Sequence, residues 1–226
     1  MQSLTAAVPK PLVKLGGRPL LDHVLDRLAE AGIGKAVVNV HYLGGLIKDH
    51  CASRALPEIV ISDESEAVLD TGGGVKRALP VLGRGPFFVH NSDSVWSEGR
   101  SSNLKMLMNA WQPEQMDALL LIAHRDSSIG YGGRGDFSLD REGRLERRPA
   151  SASVPFVFAG VSILKPELFE GIEEQAFSLN LIFDRAIANG RLSGCVLEGV
   201  WMHVGTPAAL KEAEDHLNAF EGGVQR

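Results

Sequence analysis

Cysteine is scarce: Cys51 and Cys195 are the two present, far apart and without a C-x-x-C neighbour. That spacing fits no common zinc pattern, and buried or indifferent thiols are the simplest reading, with a disulfide or metal pair as the alternative. Long hydrophobic runs are missing too. No apolar stretch reaches the ~18 residues of a spanning helix, so no membrane partner is expected. The opening MQSLTAAVPKPLVKL lacks the charged-then-apolar layout of a secretory signal, and a cytoplasmic protein is expected. Basic charge is not in excess. With 23 Lys and Arg against 28 Asp and Glu, the net charge of −5 argues against nucleic-acid binding, although cations can still gather locally around a phosphate ligand. Neither internal repeats nor a linker long enough to split the chain is visible.

What remains is 226 residues, 44% hydrophobic and 23% charged, enough for one large soluble domain or a domain with a small lobe. Its apolar runs alternate with helix-like stretches, the pattern of a mostly parallel sheet wrapped by helices. After Pro19, the residues Leu20, Leu21, Val24, Leu25 and Leu28 fall on one helical face, with Gly32 at the C-cap position. Residues 36–40 (AVVNV) read as a buried strand, 43–52 as a helix and 58–61 as a strand. A helix over 73–82 and a strand over 86–90 lead to Asn91-Ser92-Asp93. Residues 101–111 read as a helix and 118–123 (ALLLIA) as a fully buried strand. The stretch from about 130 to 148 predicts a hairpin turning at 140–143. A strand over 156–164, helices near 166–171 and 179–189, strands over 194–198 and 201–204, and a helix over 207–220 complete the chain. A doubly wound nucleotide fold usually begins with a buried strand feeding a Gly-rich loop, yet nothing apolar precedes Pro9-Lys10-Pro11.

Several positions have residue types suited to phosphate chemistry. Lys10 stands between two prolines that hold an extended, stiff support, which suits a point charge meeting phosphates; a solvated surface lysine is the alternative. Asp70-Thr71-Gly72-Gly73-Gly74 sets three glycines at a helix start, where a flat base can lie against backbone and free N–H groups can donate to it; an ordinary glycine turn is the other reading. Asp93 ends a strand at its carboxyl end, where ligands bind in parallel sheets and where a carboxylate can hold Mg²⁺ against phosphate oxygens. A helix N-cap or Asx-turn remains open for it. Asp63 and Glu64 are near enough to meet a ribose, or simply occupy a solvated turn.

Five segments together, PKPL (9–12), LDTGGG (69–74), NSDSVW (91–96), GRGDF (133–137) and WMHVGTP (201–207), resemble the sugar-1-phosphate nucleotidyltransferase family over nearly the whole chain. Within it, TGGG, NSD-x-x-W and GRGDF are most similar to the bacterial N-acetylmuramate 1-phosphate uridylyltransferases of cell-wall recycling. The resemblance implies an α/β, Rossmann-like three-layer sandwich with a mostly parallel mixed sheet, in one domain over 1–226. Its nucleotide-binding part would span about 1–125 and its sugar-binding lobe about 126–200. It implies a nucleoside triphosphate and a sugar 1-phosphate as partners, and Mg²⁺, or a softer Mn²⁺, as cofactor. The roles implied are phosphate binding by Lys10, nucleotide binding by Leu69, Thr71, Gly72, Gly73 and Asn91, and metal binding by Asp93. Arg134, Gly135, Asp136 and Gly160 would meet the sugar, Arg134 by gripping an anionic group. The family's second metal aspartate is here His203, a poor ligand for a hard cation; metal contact, phosphate contact and a structural role all stay open for it.

Relatives also carry a first strand and a G-x-G-x-R-[ML] loop that wraps the triphosphate, and Met1 stands where the residue after that arginine would be. The expectation is a sheet without its first strand and phosphate loop, and a chain that is weakly active or inactive as written. Two alternatives to a uridylyltransferase are a mannose-1-phosphate guanylyltransferase and a non-catalytic nucleotide-sugar-binding homologue.

Overall fold

The structure, a computed structural model, describes residues 7–224. After a 3₁₀ turn at Lys10–Leu12, a short hairpin pairs β1 (Lys14–Leu15) with β2 (Arg18–Pro19). Its loop is Gly16-Gly17, with φ of 57° and 77°, the left-handed pair that so tight a turn requires. α1 (Leu20–Glu30) follows and buries the five apolar residues that its spacing puts on one face. Next come β3 (Lys35–Val40), α2 (Gly44–Cys51), β4 (Glu58–Asp63), α3 (Asp70–Leu82), β5 (Phe87–His90), β6 (Ser94–Glu98) and α4 (Asn103–Ala110). The second half contains β7 (Ala118–His124), the hairpin β8 (Phe137–Leu139) and β9 (Leu145–Arg147), and β10 (Phe156–Leu164). α5 (Asn180–Ala188), β11 (Leu192–Val196), β12 (Gly199–His203) and α6 (Pro207–Val224) end it.

The central sheet is mixed. β10 runs antiparallel to β5 and β7, β11 runs parallel to β7, and Phe156 opposite Phe137 joins the β8–β9 hairpin to the edge. β7 shows how the layers form: Leu119, Leu121 and Ala123 enter one core with α1 and α4, while Ala118, Leu120 and Ile122 enter another with α5. Alternation with period two on a fully buried strand therefore feeds two helical layers at once. A separate antiparallel ribbon of β6 and β12 packs Val95 and Met202 beneath Ala213 of α6. No helix among the described residues is long and apolar enough to cross a membrane. Cys51 is buried, Cys195 half-buried, and both are free thiols.

Several expectations need correction. Residues 36–40 do form a strand, but only Val40 is fully buried in β3. The reason is an apolar slot of about 1010 Å³ along its edge. β3 pairs with β4 alone and β5 with β10 alone among the described residues, and the slot lies between β3 and β5. Leu21, Val24 and Leu25 of α1 and Val75 and Ala78 of α3 close it above and below. Lys10 stands on a 3₁₀ turn, not an extended segment, because the Leu12 N–H donates to the Pro9 carbonyl at 2.8 Å and Pro11 tolerates the first helical turn. α3 starts at Asp70, three residues before the expected 73, so Gly72 and Gly73 are inside the first turn and Gly74 just after it. The stretch near 166–171 makes only a 3₁₀ turn over Pro166–Phe169, and β6 was not foreseen.

Candidate active site

Asp93 belongs to the turn that joins β5 to β6, and three hydrogen bonds fix that turn. The Ser94 N–H donates to the Asn91 carbonyl (3.2 Å), the Asn91 N–H to the Gly160 carbonyl (2.8 Å), and the Val204 N–H to the Asp93 carbonyl (3.0 Å). Lys10, 83 residues earlier, reaches the same turn and forms a direct ion pair with the Asp93 carboxylate. The two side chains stay 34% and 20% exposed, so the pair is open to a ligand. The two residues chosen from distant motifs thus meet in one place.

Beside this pair is a pocket of about 340 Å³. Asn91, Asp93, Gly160 and His203 line one part of it; Asp136, Arg147 and Asn180 line another. Gly160 is in a bulge of β10 with φ of 78°, and a Cβ there would come within 2.8 Å of Ser94 Cβ. The missing side chain lets the β5–β6 turn approach, which in turn shapes the pocket. Asp136 is oriented by the Phe158 N–H, which donates to its carboxylate at 2.9 Å. Arg134 is exposed and Gly135 is packed under Val154, where a Cβ would meet the Val154 carbonyl oxygen at 2.2 Å. Neither lines the pocket, whereas Asp136 and Gly160 do.

His203 ends β12 opposite Ser94, with its ring 5.8 Å from that of Trp201 and packed over Gly205. Among the described residues no cluster of three or more His, Cys, Asp or Glu side chains could hold a metal ion. A single carboxylate still suits Mg²⁺ when phosphates and water complete the shell, so Asp93 fits that ion, while the imidazole of His203 is a poor donor to it. Behind Asp93, the ring of His90 stacks on Trp96 at 5.4 Å and meets the Asn91 carbonyl through Nδ1 at 2.9 Å. Burial pulls its pKa down to about 4, against the opposing effect of that hydrogen bond, and keeps the ring neutral at physiological pH.

The TGGG segment differs from its expected role. The Phe177 carbonyl accepts both the Gly72 N–H (2.8 Å) and the Gly73 N–H (3.1 Å), and the Leu69 carbonyl accepts the Phe177 N–H (3.1 Å). Thr71 Oγ1 accepts the Leu179 N–H at 3.0 Å. The expectation of free amides facing a base is therefore corrected for Gly72 and Gly73. Added Cβ atoms would lie 2.4 Å from the Phe177 ring at Gly72 and 2.0 Å from the Gln175 carbonyl oxygen at Gly73. Leu69, Gly72 and Gly73 face the chain itself, whereas Thr71, Gly74 and Asn91 line the slot. Glu64 is buried there too, and Asn39 Nδ2 donates to its carboxylate at 2.5 Å and to the Gly74 carbonyl at 3.1 Å.

Residues 1–219 match the family model described as Nucleotidyl transferase. The chain belongs to this nucleotidyl transferase family. It is 43% identical over 221 residues to an N-acetylmuramate alpha-1-phosphate uridylyltransferase of Caulobacter vibrioides, covering 96% of this chain and 91% of that protein. A protein of the same description from Neisseria meningitidis is 33% identical over 224 residues, covering 98% of this chain and 94% of its own length. Among solved structures, a putative glucose-1-phosphate thymidylyltransferase from Bacillus anthracis superimposes with a TM-score of 0.80 at 14% identity. The match covers 96% of this chain and 89% of that one, and shows a shared α/β fold.

In this nucleotidyl transferase, sequence reasoning missed Asn39, Arg147 and Asn180. Asn39 had a usable signal, a polar residue near the carboxyl end of an apolar strand. Arg147 and Asn180 had none, because a hairpin arginine and a helix-start asparagine look like solvated surface.

Proposed function

We propose that the chain transfers UMP from UTP to N-acetylmuramate 1-phosphate, releasing pyrophosphate, as a step in reusing cell-wall sugar in the cytoplasm. The observation that carries this reading is the Lys10–Asp93 ion pair at a pocket edged by Gly160 and Arg147. The 43% identity to a uridylyltransferase named for that substrate supports the choice of sugar and nucleotide. In the reaction a phosphate oxygen of the sugar phosphate attacks the α-phosphorus in line. The bond from that phosphorus to the β-phosphate oxygen breaks, and the electron pair leaves with pyrophosphate. A phosphate dianion is already a nucleophile, so the residues must position the partners and offset charge. Lys10 supplies three donors on a flexible stem and can turn from the Asp93 carboxylate to a phosphate oxygen without leaving the site. Asn91, beside Gly160 on the fixed turn, borders both the pocket and the slot and can orient a phosphate between them. A Mg²⁺ held by Asp93 would add charge neutralisation across phosphate oxygens when bound.

The nucleotide-binding part assigned to about 1–125 contains Lys10, Asp93 and most of the slot lining, to which Ile163 and Leu179 are added from beyond it; the lobe at about 126–200 contains Asp136, Arg147 and Asn180. Turnover by the 226-residue chain is expected to be low. The support is the slot itself, since no backbone between β3 and β5 offers N–H donors to a triphosphate among the described residues. The test is pyrophosphate release from UTP with N-acetylmuramate 1-phosphate. It compares the chain, a version with an apolar strand and G-x-G-x-R loop fused ahead of residue 1, and Asp93→Asn in each. The fused version should be faster, and Asp93→Asn should lower its rate by at least ~100-fold. An unaffected Asp93→Asn rejects the mechanism; equal rates with and without the fusion reject the impairment.

A further inference from the structure

The pocket beside Asp93 has an end that phosphate chemistry does not use. Of its lining side chains, Arg147 alone has a permanent positive charge; the other titratable ones are Asp93, Asp136, Tyr131 and His203. Two carboxylates in so small a pocket disfavour a multiply anionic substrate unless a cation faces it. Arg147 is built for that task. It ends β9 opposite Phe137, and its guanidinium lies over the Phe137 ring at 5.0 Å. Nε donates to Asp184 Oδ1 at 2.7 Å and Nη2 to the Asn180 carbonyl at 3.3 Å. These contacts fix the plane of the fork and leave Nη1 without a hydrogen bond to the described residues. Asp184 is 57% exposed, so its attraction is screened and leaves Arg147 able to take a second anion.

Position decides which anion. Gly160, against the Asp93 turn, is four residues along β10 from Phe156, and Phe156 pairs with Phe137, whose neighbour is Arg147. With ~3.3 Å per residue and ~4.8 Å between strands, the Arg147 backbone is on the order of 15 Å from the Asp93 end. The guanidinium reaches back over part of that distance. A C1 phosphate held beside Lys10 and Asp93 therefore points the rest of its sugar toward Arg147. A neutral hexose leaves the fork half-used, and a sugar with a carboxylate fills it.

We propose that Arg147 is a specificity-determining residue that selects acidic sugar 1-phosphates by pairing with the carboxylate of the sugar. The assignment rests on the substrate reading above, and it transfers to Arg147 the anion-gripping role that the sequence suggested for the exposed Arg134. Recognition is by charge and planar geometry, so lysine is an incomplete replacement.

The test measures calorimetric binding of N-acetylmuramate 1-phosphate and of N-acetylglucosamine 1-phosphate, which lacks the lactyl carboxylate. The proteins are the parent chain, Arg147→Lys and Arg147→Met, each checked by thermal melting. KM and kcat are read for both sugars in the strand-fused version. The parent should prefer the acidic sugar. Arg147→Met should lose that preference through a rise in Kd and KM of about 10- to 100-fold for the acidic sugar alone, with kcat little changed. Arg147→Lys should lie between them. A preference that survives in Arg147→Met, or an equal loss for both sugars, overturns the role of Arg147 while leaving the substrate reading intact. A parent that binds neither sugar overturns the substrate reading and this one with it.

Discussion

The glycines of α3 provide a sharp test of what TGGG does in the free protein. Two helix glycines make the comparison: Gly45 in α2, where a Cβ would meet nothing within 4 Å, and Gly73 in α3, where it would lie 2.0 Å from a backbone carbonyl oxygen. Alanine in a helix is favoured over glycine by roughly 0.5–1 kcal/mol. At Gly45 nothing opposes that gain, and Gly45→Ala should raise Tm by about 1–4 °C for a domain of this size. At Gly73 the neighbour is the Gln175 main chain, which cannot swing aside as a flexible side chain would. Overpacking of that kind costs roughly 3 kcal/mol, so the net loss is about 2 kcal/mol after the helix gain. Gly73→Ala should then melt about 4–8 °C lower. Both variants are compared by calorimetry or circular dichroism without nucleotide. If the glycines serve only a bound base, Gly73→Ala will melt at or above the parent, like Gly45→Ala, and the packing argument fails.

Acid stability should depend on His90. Its folded pKa is lowered by burial to about 4, below the 6.5 of an exposed imidazole, so the unfolded chain takes up the proton first. The stabilising effect is complete above pH 6.5 and is lost as pH falls toward 4, amounting to about 2 kcal/mol between pH 8 and pH 5. Urea unfolding at the two pH values should show that slope in the parent and a smaller one in His90→Phe; identical slopes would remove His90 as the cause. The slot predicts uneven protection as well. Amides on the open edge of β3 should exchange at least about 100-fold faster than those of β7, which is paired on both sides. Equal protection in a hydrogen-exchange experiment would mean that the β3 edge is covered in solution.

The sequence by itself determined the elements whose burial follows a local period. The five apolar residues of α1 and the unbroken apolar run of β7 state their partners through spacing of 3.6 and 2, and both are buried as read. It also singled out Lys10 and Asp93, whose residue types suit phosphate and metal, although only the five motifs read together set them above a solvated lysine and an N-cap aspartate. Tertiary structure decided the rest. That Lys10 touches Asp93 depends on how α1 and the β1–β2 hairpin turn the chain back toward β5, a long-range closure that no local pattern encodes. The same is true of TGGG, whose glycines answer to Phe177 and Gln175 from a distant loop, and of Arg147, which faces the pocket because β9 is carried there on β8 and β10. Periodicity reports which face of an element is dry. Only packing between remote segments determines which polar groups share a site and which glycines have room for a side chain.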